Sequence, residues 1–355
     1  MNKTFSRIIA LVLALCCVFG SGVIASAYTP DGIGKLREKF VAGEGPVEDG
    51  FSIDYRYYSP VKKSDSTKYP LVVWLHGMGD GSSEGNQVTK SHVALWASDE
   101  YQKRFGKGAF IFCPRSREEL GITWENSMVE PLRAAIEDFI AKNKANIDTT
   151  RIYVGGYSMG GKMTLKMAIA YPEMFAAVFP ICPAWAPSTA LLEKIADIPV
   201  WITSSTKDPV VNYNISVEPT WTKLCSVTNV PEKCRFSTLT TVCYADGSRA
   251  SSGHHSWYAV NNDMFSTKNG DYPNMTIVNG KGETVKLTYP NGIISWLASQ
   301  KSSYNGKALP DGMGNLEGAA NTDIPISFEL EELFDMIIEI IQNIIKLIKS
   351  FIPVK

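Results

Sequence analysis

The sequence predicts an α/β fold, in which a mainly parallel sheet carries helices on both faces and an amphipathic helix follows at the C-terminus. Three observations support this prediction. Strand-like and helix-like segments alternate through most of the chain. Several of the strands are continuous apolar runs, which are typical of strands buried on both faces. A serine flanked by glycines, Ser158, stands between one such strand and the helix that follows it.

The N-terminus has the three parts of a signal peptide. Lys3 and Arg7 precede an apolar stretch from residue 8 to residue 19, and Ala25-Ser26-Ala27 supplies a small-residue cleavage site. The apolar stretch is short for a membrane span. We therefore predict that residues 1–27 are removed, and that the protein is secreted or associated with the cell surface.

The charge balance of the chain bears on which partners it can bind. The 355 residues include 35 basic and 36 acidic side chains, with no basic stripe, so a nucleic-acid partner is excluded.

Five cysteines follow the signal peptide: 113, 182, 225, 234 and 243. The first two end strand-like runs and are predicted to be buried thiols, whereas the other three are close in sequence. We predict a disulfide between two of these three, with the pairing left open.

The elements of the core follow one another in a regular order. Predicted strands are an edge strand at 51–58, then 71–75, 109–113, 151–155, 175–182, 199–203 and 238–244. Predicted helices are 93–104, 129–142, one directly after Ser158, 191–196 and one beginning at Ile293. Residues 209–237 and 264–290 are long for connections in such a fold, so we interpret them as insertions. The second should contain a hairpin around Gly280-Lys281-Gly282.

The C-terminal part of the chain differs from this core. We predict a catalytic domain over 28–304, a Gly/Asn/Asp-rich linker over 305–323, and an amphipathic helical tail over 324–355. Charges inside the tail exclude a membrane span. The tail has no basic polar face, so self-association or binding of a partner protein is predicted in preference to a membrane surface. Packing on its own domain is the alternative.

The stretch Gly156-Tyr157-Ser158-Met159-Gly160 carries the predicted chemistry. A G-x-S-x-G sequence between a strand and a helix is the nucleophile elbow of the α/β-hydrolase fold. The serine hydroxyl needs a neutral imidazole to accept its proton and a carboxylate to orient that imidazole.

In α/β-hydrolases the acid and then the histidine follow the serine along the chain, in loops after late strands. Asp208 and the pair His254-His255 meet this condition, with Asp197 and Asp246 as weaker candidates for the acid. His92 comes too early in the chain to be the base, and His76 belongs to the turn after an early strand, which it is expected to stabilise.

Two further groups of residues are candidates for the site. The backbone N–H groups of Met159 and Met78 are the predicted oxyanion donors, because Met159 follows the nucleophile and Met78 lies in the turn after an early strand. Trp124, Trp185 and Trp257 fall in loops near the predicted site and are candidate substrate-binding residues, with packing as the alternative for each. Zinc-ligand spacings and phosphate-binding loops are missing from the sequence, so no metal or cofactor is predicted.

The chain resembles secreted α/β-hydrolase esterases of the predicted-peptidase and polyhydroxybutyrate-depolymerase-like group, which are relatives of feruloyl and acetyl-xylan esterases. The matching stretches are LVVWLHGMGDG, ITWENSMVEPLRAAIEDFIAKN, IDTTRIYVGGYSMGGKMTLKMAIAYPEMFAAVFPICPAW, PVWITSSTKDPVV and GHHSW, between about residues 55 and 299. The family often has GHDSW in place of GHHSW. The resemblance therefore implies that His254 is the base and that His255 is a variable position.

The predicted function is that of an exported serine hydrolase that cleaves carboxylic esters through an acyl-enzyme, with ester side groups of polysaccharides as candidate substrates. Two alternatives stay open. The same catalytic groups serve a serine peptidase, and a non-catalytic, surface-attached binding protein could retain the fold.

Overall fold

A nine-stranded mixed sheet organises the chain in the computed structural model, which describes residues 32–62, 65–266 and 274–317. In chain order the strands are β1 (Val41–Glu48), β2 (Phe51–Tyr58), β3 (Tyr69–Leu75), β4 (Phe110–Pro114), β5 (Ile147–Tyr157), β6 (Ala177–Ile181), β7 (Trp201–Ser205), β8 (Arg235–Leu239) and β9 (Met275–Asn279). Their order across the sheet is β1-β2-β4-β3-β5-β6-β7-β8-β9. The six central strands are parallel, and antiparallel pairs complete both edges. The mainly parallel sheet predicted from the sequence is confirmed.

Most of the helices lie between these strands along the chain, while the first precedes β1 and the last follows β9. They are α1 (Ile33–Arg37), α2 (Asn86–Thr89), α3 (Asp99–Arg104), α4 (Val129–Lys142), α5 (Met159–Ala170), α6 (Thr189–Glu193), α7 (Glu218–Val227), α8 (Trp257–Asn261) and α9 (Ile293–Ala298). Short 3-10 helices and one π-helix, Tyr213–Val217, complete the connections. Within the ranges that the structure describes, none of the helices is long and apolar enough to cross a membrane.

The central strands form the core because they are apolar on both faces. Every residue of β3, β4, β6 and β7 is buried, as is every residue of α5. Helix α4 is amphipathic and packs its apolar side on β1 and β2. Burial on both sides accounts for the unbroken apolar runs in the sequence.

The order of the strands fixes where a site can form. From β3 the chain moves outward to β4, and it then returns past β3 to β5 and continues to the opposite edge. Right-handed crossovers in the two directions place helices on opposite faces of the sheet. The switch between β3 and β5 leaves a crevice at the carboxyl ends of these strands, which is where open α/β sheets bind ligands.

The sheet extends further at both edges than the sequence predicts. The predicted edge strand 51–58 is the second strand, because β1 pairs with it on the outside. Strand β8 runs from Arg235 to Leu239, so it begins three residues before the predicted strand 238–244 and ends five residues before the predicted end. Strand β9 pairs with β8 across the sheet. It also forms a short hairpin with the residues after Gly280-Lys281-Gly282, as predicted: Val278 and Thr284 form a bridge, and the N–H of Val285 donates to the carbonyl of Ile277 at 2.8 Å.

The first part of the predicted linker packs on the helices of the α/β core. The N–H of Leu309 donates to Glu137 Oε1 at 2.8 Å, and Asn315 Nδ2 donates to the carbonyl of Ala170 at 3.0 Å. Leu316 is buried. Residues 305–317 thus lie against α4 and α5 instead of forming a free tether. The predicted signal peptide, residues 318–323 and the predicted helical tail fall outside the described residues.

The cysteines are thiols in the described part of the chain. Cys113, Cys182 and Cys234 are buried, and Cys225 and Cys243 are partly exposed. The two buried thiols predicted at the ends of strands are present, at Cys113 and Cys182. The disulfide predicted among the other three is not formed.

Candidate active site

Ser158 occupies a sharp turn between β5 and α5. Its backbone has a φ of 56° and a ψ of −116°, which is unusual for a residue with a side chain. The turn brings α5 very close to β3, since a Cβ at Gly160 would lie 2.1 Å from the carbonyl oxygen of Leu75. The Ser158 N–H donates to the carbonyl of Ile181 at the end of β6, at 3.0 Å. These features are those of a nucleophile elbow.

Asp208 and His254 form a direct hydrogen bond at the carboxyl ends of the parallel strands, which is the end of the sheet where Ser158 also lies. His254 Nδ1 lies 2.8 Å from Asp208 Oδ2 and 3.0 Å from Oδ1. Because a carboxylate only accepts, Nδ1 carries the proton and Nε2 is left as the basic nitrogen. The Asp208 carboxylate is itself held by the N–H groups of Val210 and Val211, at 2.8 and 2.9 Å. Its side chain has no exposed surface.

Electrostatics distinguishes His254 from its neighbour His255. Burial alone would lower the pKa of His254, but the Asp208 carboxylate raises it well above its ordinary value, with a further contribution from Cys182. Burial lowers the pKa of His255 to about 3, and no hydrogen-bond partner is found for its Nδ1 among the described residues. The structure therefore brings His254, and not His255, to the carboxylate.

The two weaker candidates for the acid lie elsewhere. Asp197 accepts a hydrogen bond from Asn229, and Asp246 accepts from Ser248 within its own turn. Both are exposed on the surface. The contact with the imidazole belongs to Asp208.

The turn that carries Met78 lies beside the elbow because β3 and β5 are neighbours. Leu75 at the end of β3 pairs with Gly156 at the end of β5, so His76-Gly77-Met78-Gly79 emerges next to Ser158. Met159 is the first residue of α5, and the first N–H groups of a helix have no partner within it. The two predicted oxyanion donors thus come from adjacent strand ends.

His76 holds this turn in place. Its Nδ1 donates to the carbonyl of Gly77 at 2.7 Å, and its Nε2 accepts from the N–H of Ser116 at 3.2 Å. Accepting through Nε2 requires the neutral imidazole, and burial accordingly lowers the pKa of His76 to about 4. The indole of Trp124 donates to the His76 carbonyl at 3.0 Å.

The three candidate tryptophans are packed residues in this structure. Trp124, Trp185 and Trp257 are exposed by 1%, 3% and 8%. Trp124 supports His76, Trp185 lies under the Lys166 ammonium at 5.7 Å, and Trp257 packs on Tyr157 with a ring separation of 4.1 Å. All three indoles therefore belong to the packed interior around the site. A role in stacking on a substrate stays a prediction.

Cys182 adds a thiol to this group of side chains. Its Sγ lies 3.7 Å from the His254 carbonyl, and its Sγ, an Asp208 oxygen and a His254 nitrogen lie within 4.8 Å of one another. Such a set resembles a metal site, but the carboxylate and Nδ1 already bond each other at 2.8 Å. This geometry favours an Asp–His hydrogen bond over a shared ion.

The hydrogen bond between the buried side chains of Tyr157 and Asp80 was not predicted from the sequence. Asp80, directly after the Met78 turn, accepts a hydrogen bond from the hydroxyl of Tyr157, and Glu118 accepts one from the N–H of Gly79 at 2.7 Å. Tyr157 and Asp80 are far apart in the chain and carry no motif of their own. Only the pairing of β3 with β5 brings them together.

The chain has detectable similarity to known proteins. A family model described as "Putative esterase" matches residues 50–269. A probable acetylxylan esterase A of Aspergillus terreus is 28% identical over 185 residues, which cover 49% of this chain and 55% of that protein. Dipeptidyl aminopeptidase A of Saccharomyces cerevisiae is 29% identical over 151 residues, which cover 37% of this chain and 15% of that protein.

Among solved structures, the crystal structure of a thermostable esterase matches with a TM-score of 0.57 and 26% identity. The match covers 75% of this chain and 64% of that one. The chain thus spans only part of the length of these curated relatives, about half of the fungal esterase and less than a fifth of the yeast peptidase.

Proposed function

Because the chain belongs to the Esterase family and has the α/β-hydrolase fold, we propose that it is an exported serine hydrolase that cleaves carboxylic esters through an acyl-enzyme on Ser158. The observation that carries this proposal is the Asp208–His254 hydrogen bond at the sheet edge where the strained Ser158 turn also lies. Such an arrangement matches the roles required of an acid, a base and a nucleophile.

The steps follow from the groups at hand. The Ser158 hydroxyl attacks the acyl carbon while Nε2 of His254 takes its proton, and Asp208 stabilises the imidazolium that results. The negative oxygen of the tetrahedral intermediate accepts from the N–H groups of Met159 and Met78. When the intermediate collapses, the bond to the alkoxy group breaks and His254 returns the proton to the leaving alcohol. Water then attacks the acyl-enzyme by the same route, which releases the acid and the free serine.

Polysaccharide ester side groups are the proposed substrates. The similarity to an acetylxylan esterase supports this substrate class, and the N-terminal sequence supports export to where such polymers occur. A serine peptidase is the second candidate, and the similarity to a yeast dipeptidyl aminopeptidase favours it. The same nucleophile and oxyanion donors would serve an amide bond.

The C-terminal tail gives the third candidate, a surface-attached binding protein without catalysis. Its apolar stripe is proposed to bind a second copy of the chain or a partner protein. The intact set of Ser158, Asp208 and His254 argues against a function limited to binding.

Covalent labelling with a fluorophosphonate tests the nucleophile directly. We expect the protein to be labelled once, at Ser158, and the Ser158→Ala variant to be neither labelled nor active. The Ser226→Ala variant, which changes an exposed serine on α7, is the matched control and should behave as the native protein. Labelling that survives Ser158→Ala would contradict the proposal. A panel of acetyl and feruloyl esters beside peptide substrates then separates esterase from peptidase.

A further inference from the structure

Tyr157 touches three parts of the site at once. It directly precedes Ser158, and its side chain is buried. One part of its ring covers Gly77, where a Cβ would lie 2.3 Å from the tyrosine Cε2. The ring also packs on Trp257, whose own ring lies 5.4 Å from that of His254. Tyr157 is therefore in contact with the elbow, the Met78 turn and the segment that carries the base.

The hydroxyl of Tyr157 reaches the far side of the Met78 turn. It donates a hydrogen bond to Oδ2 of Asp80, the first residue after the turn. The N–H of Asp80 in turn donates to the carbonyl of Gly77 at 3.4 Å. The phenol and the carboxylate thus enclose Gly77-Met78-Gly79 between them.

Charged neighbours surround this pair. Lys90 Nζ lies 3.8 Å from Asp80 Oδ1 and donates to the Gly79 carbonyl at 3.4 Å. Glu118 accepts from the Gly79 N–H on the other side. Burial raises the pKa of Asp80 to about 7, against the opposing effects of the Tyr157 hydroxyl and Lys90. A carboxylate buried to this degree is stable only while its donors stay in place.

The Met78 turn needs such support. Its two glycines give the backbone wide conformational freedom, whereas an oxyanion donor works only within about 2.7–3.1 Å of the developing charge. A displacement of about 1 Å can cost a hundredfold in rate.

We propose that Tyr157 and Asp80 are positioning residues for the oxyanion site, which act together to fix the N–H of Met78 relative to the N–H of Met159. The inference rests on the proposed serine-hydrolase function. Neither side chain touches the substrate in this scheme. Their effect passes through the backbone of the turn.

Removal of single polar groups tests the pair. Tyr157→Phe deletes only the hydroxyl, and Asp80→Asn keeps the shape of the carboxylate but weakens it as an acceptor. We expect each variant to lower kcat about ten- to a hundredfold with little change in KM. The double variant should lose no more than the more affected single one, since the two residues form one unit. Tyr153→Phe is the matched control, because this buried tyrosine on the same strand donates instead to Gln300 and should keep full activity.

A thionoester separates positioning from general damage. An oxyanion site stabilises a negative oxygen better than a negative sulfur, so the native enzyme should prefer an ester over the corresponding thionoester in kcat/KM. Tyr157→Phe and Asp80→Asn should reduce this preference, whereas a variant with a loosened fold loses rate on both substrates alike. An unchanged kcat, or an equal loss on the two substrates, would overturn the inference.

The fluorophosphonate experiment keeps the two hypotheses apart. If Ser158 is not labelled, the proposed function fails and the positioning role fails with it. If Ser158 is labelled and both variants keep the native preference for the ester, only the positioning role fails. Melting temperatures of the two variants and of Tyr153→Phe identify any variant that has lost its fold.

Discussion

His76 directly follows β3, whereas His254 lies in the 3-10 helix Gly253–Ser256 beyond the end of β8, and their surroundings give the two histidines opposite properties. His254 bonds the Asp208 carboxylate, which raises its pKa well above the ordinary value. His76 bonds a backbone carbonyl and a backbone N–H, and burial lowers its pKa to about 4. A buried imidazole can take up a proton only where an anion is ready to stabilise it. Its hydrogen-bond partner, more than its burial, therefore decides whether a histidine in this site can act as a base.

The largest expected effect comes from replacing the proposed base, His254. His254→Ala should lower kcat on the order of a millionfold, because without a base the nucleophile contributes almost nothing. His255→Ala changes a neutral ring next in the chain and should cost far less. Steady-state hydrolysis of a small soluble ester measures both variants. A larger loss in His255→Ala than in His254→Ala would assign the role of the base to His255 and contradict the comparison of His254 with His76.

The carboxylate gives the second largest effect. Asp208→Asn should lower kcat about 10⁴-fold, because an amide no longer favours the productive tautomer of His254. Without the carboxylate the pKa of His254 should also fall. Since the base works only when neutral, the acid limb of the residual pH–rate profile should move to lower pH. Asp197→Asn, on the surface, is the control. A native profile in Asp208→Asn would show that another group orients His254.

Acid sensitivity distinguishes His76 from His254. The pKa of His76 in the folded protein lies below its value in the unfolded chain, because the buried imidazole is stable only in its neutral form. The folded protein therefore keeps its full stability above about pH 6.5 and loses part of it as the pH falls toward about 4. The full loss is on the order of 3 kcal/mol. His254 has the opposite sign, since its charged form is the stabilised one. Urea unfolding at pH 7 and pH 5 should therefore show a smaller acid loss in His76→Gln and a larger one in His254→Gln. Equal losses in the two variants would contradict this assignment.

The smallest effect is expected from a segment beyond both histidines. Truncation after Asn321 keeps all of the described residues, including the packed stretch 305–317. Activity on a small soluble ester should stay near the native level, whereas the mass found by light scattering should fall if the tail joins copies of the chain. Loss of activity or of folding would instead make the tail part of the catalytic domain.

The sequence predicts the centre of the molecule better than its periphery. The Ser158 turn, the candidate acid and the candidate base depend on local motifs and on chain order, and both can be read directly. Buried strands such as β3 and β6 can be recognised by their unbroken apolar runs. Strand β1 does not, because Gly43, Gly45 and Pro46 interrupt any alternation and its residues are mostly exposed.

Side-chain direction is the part that could not be predicted. Trp124, Trp185 and Trp257 occur in loops, and sequence alone does not tell whether a loop indole faces the solvent or the core. The Gly/Asn/Asp composition of residues 305–317 favours a flexible tether, yet these residues bond to α4 and α5 through contacts with distant parts of the chain. The contact between Tyr157 and Asp80 depends likewise on strand pairing over a long sequence separation.

The backbone of Ser158 has a consequence for how the family can change. Its φ of 56° and ψ of −116° cost a residue with a Cβ about 1–3 kcal/mol, a strain that glycine would largely avoid. The proposed nucleophile is thus kept at a position where the fold alone would favour another residue. A lineage released from selection for hydrolysis could gain thermal robustness by losing this serine, so activity and stability are opposed at a single codon.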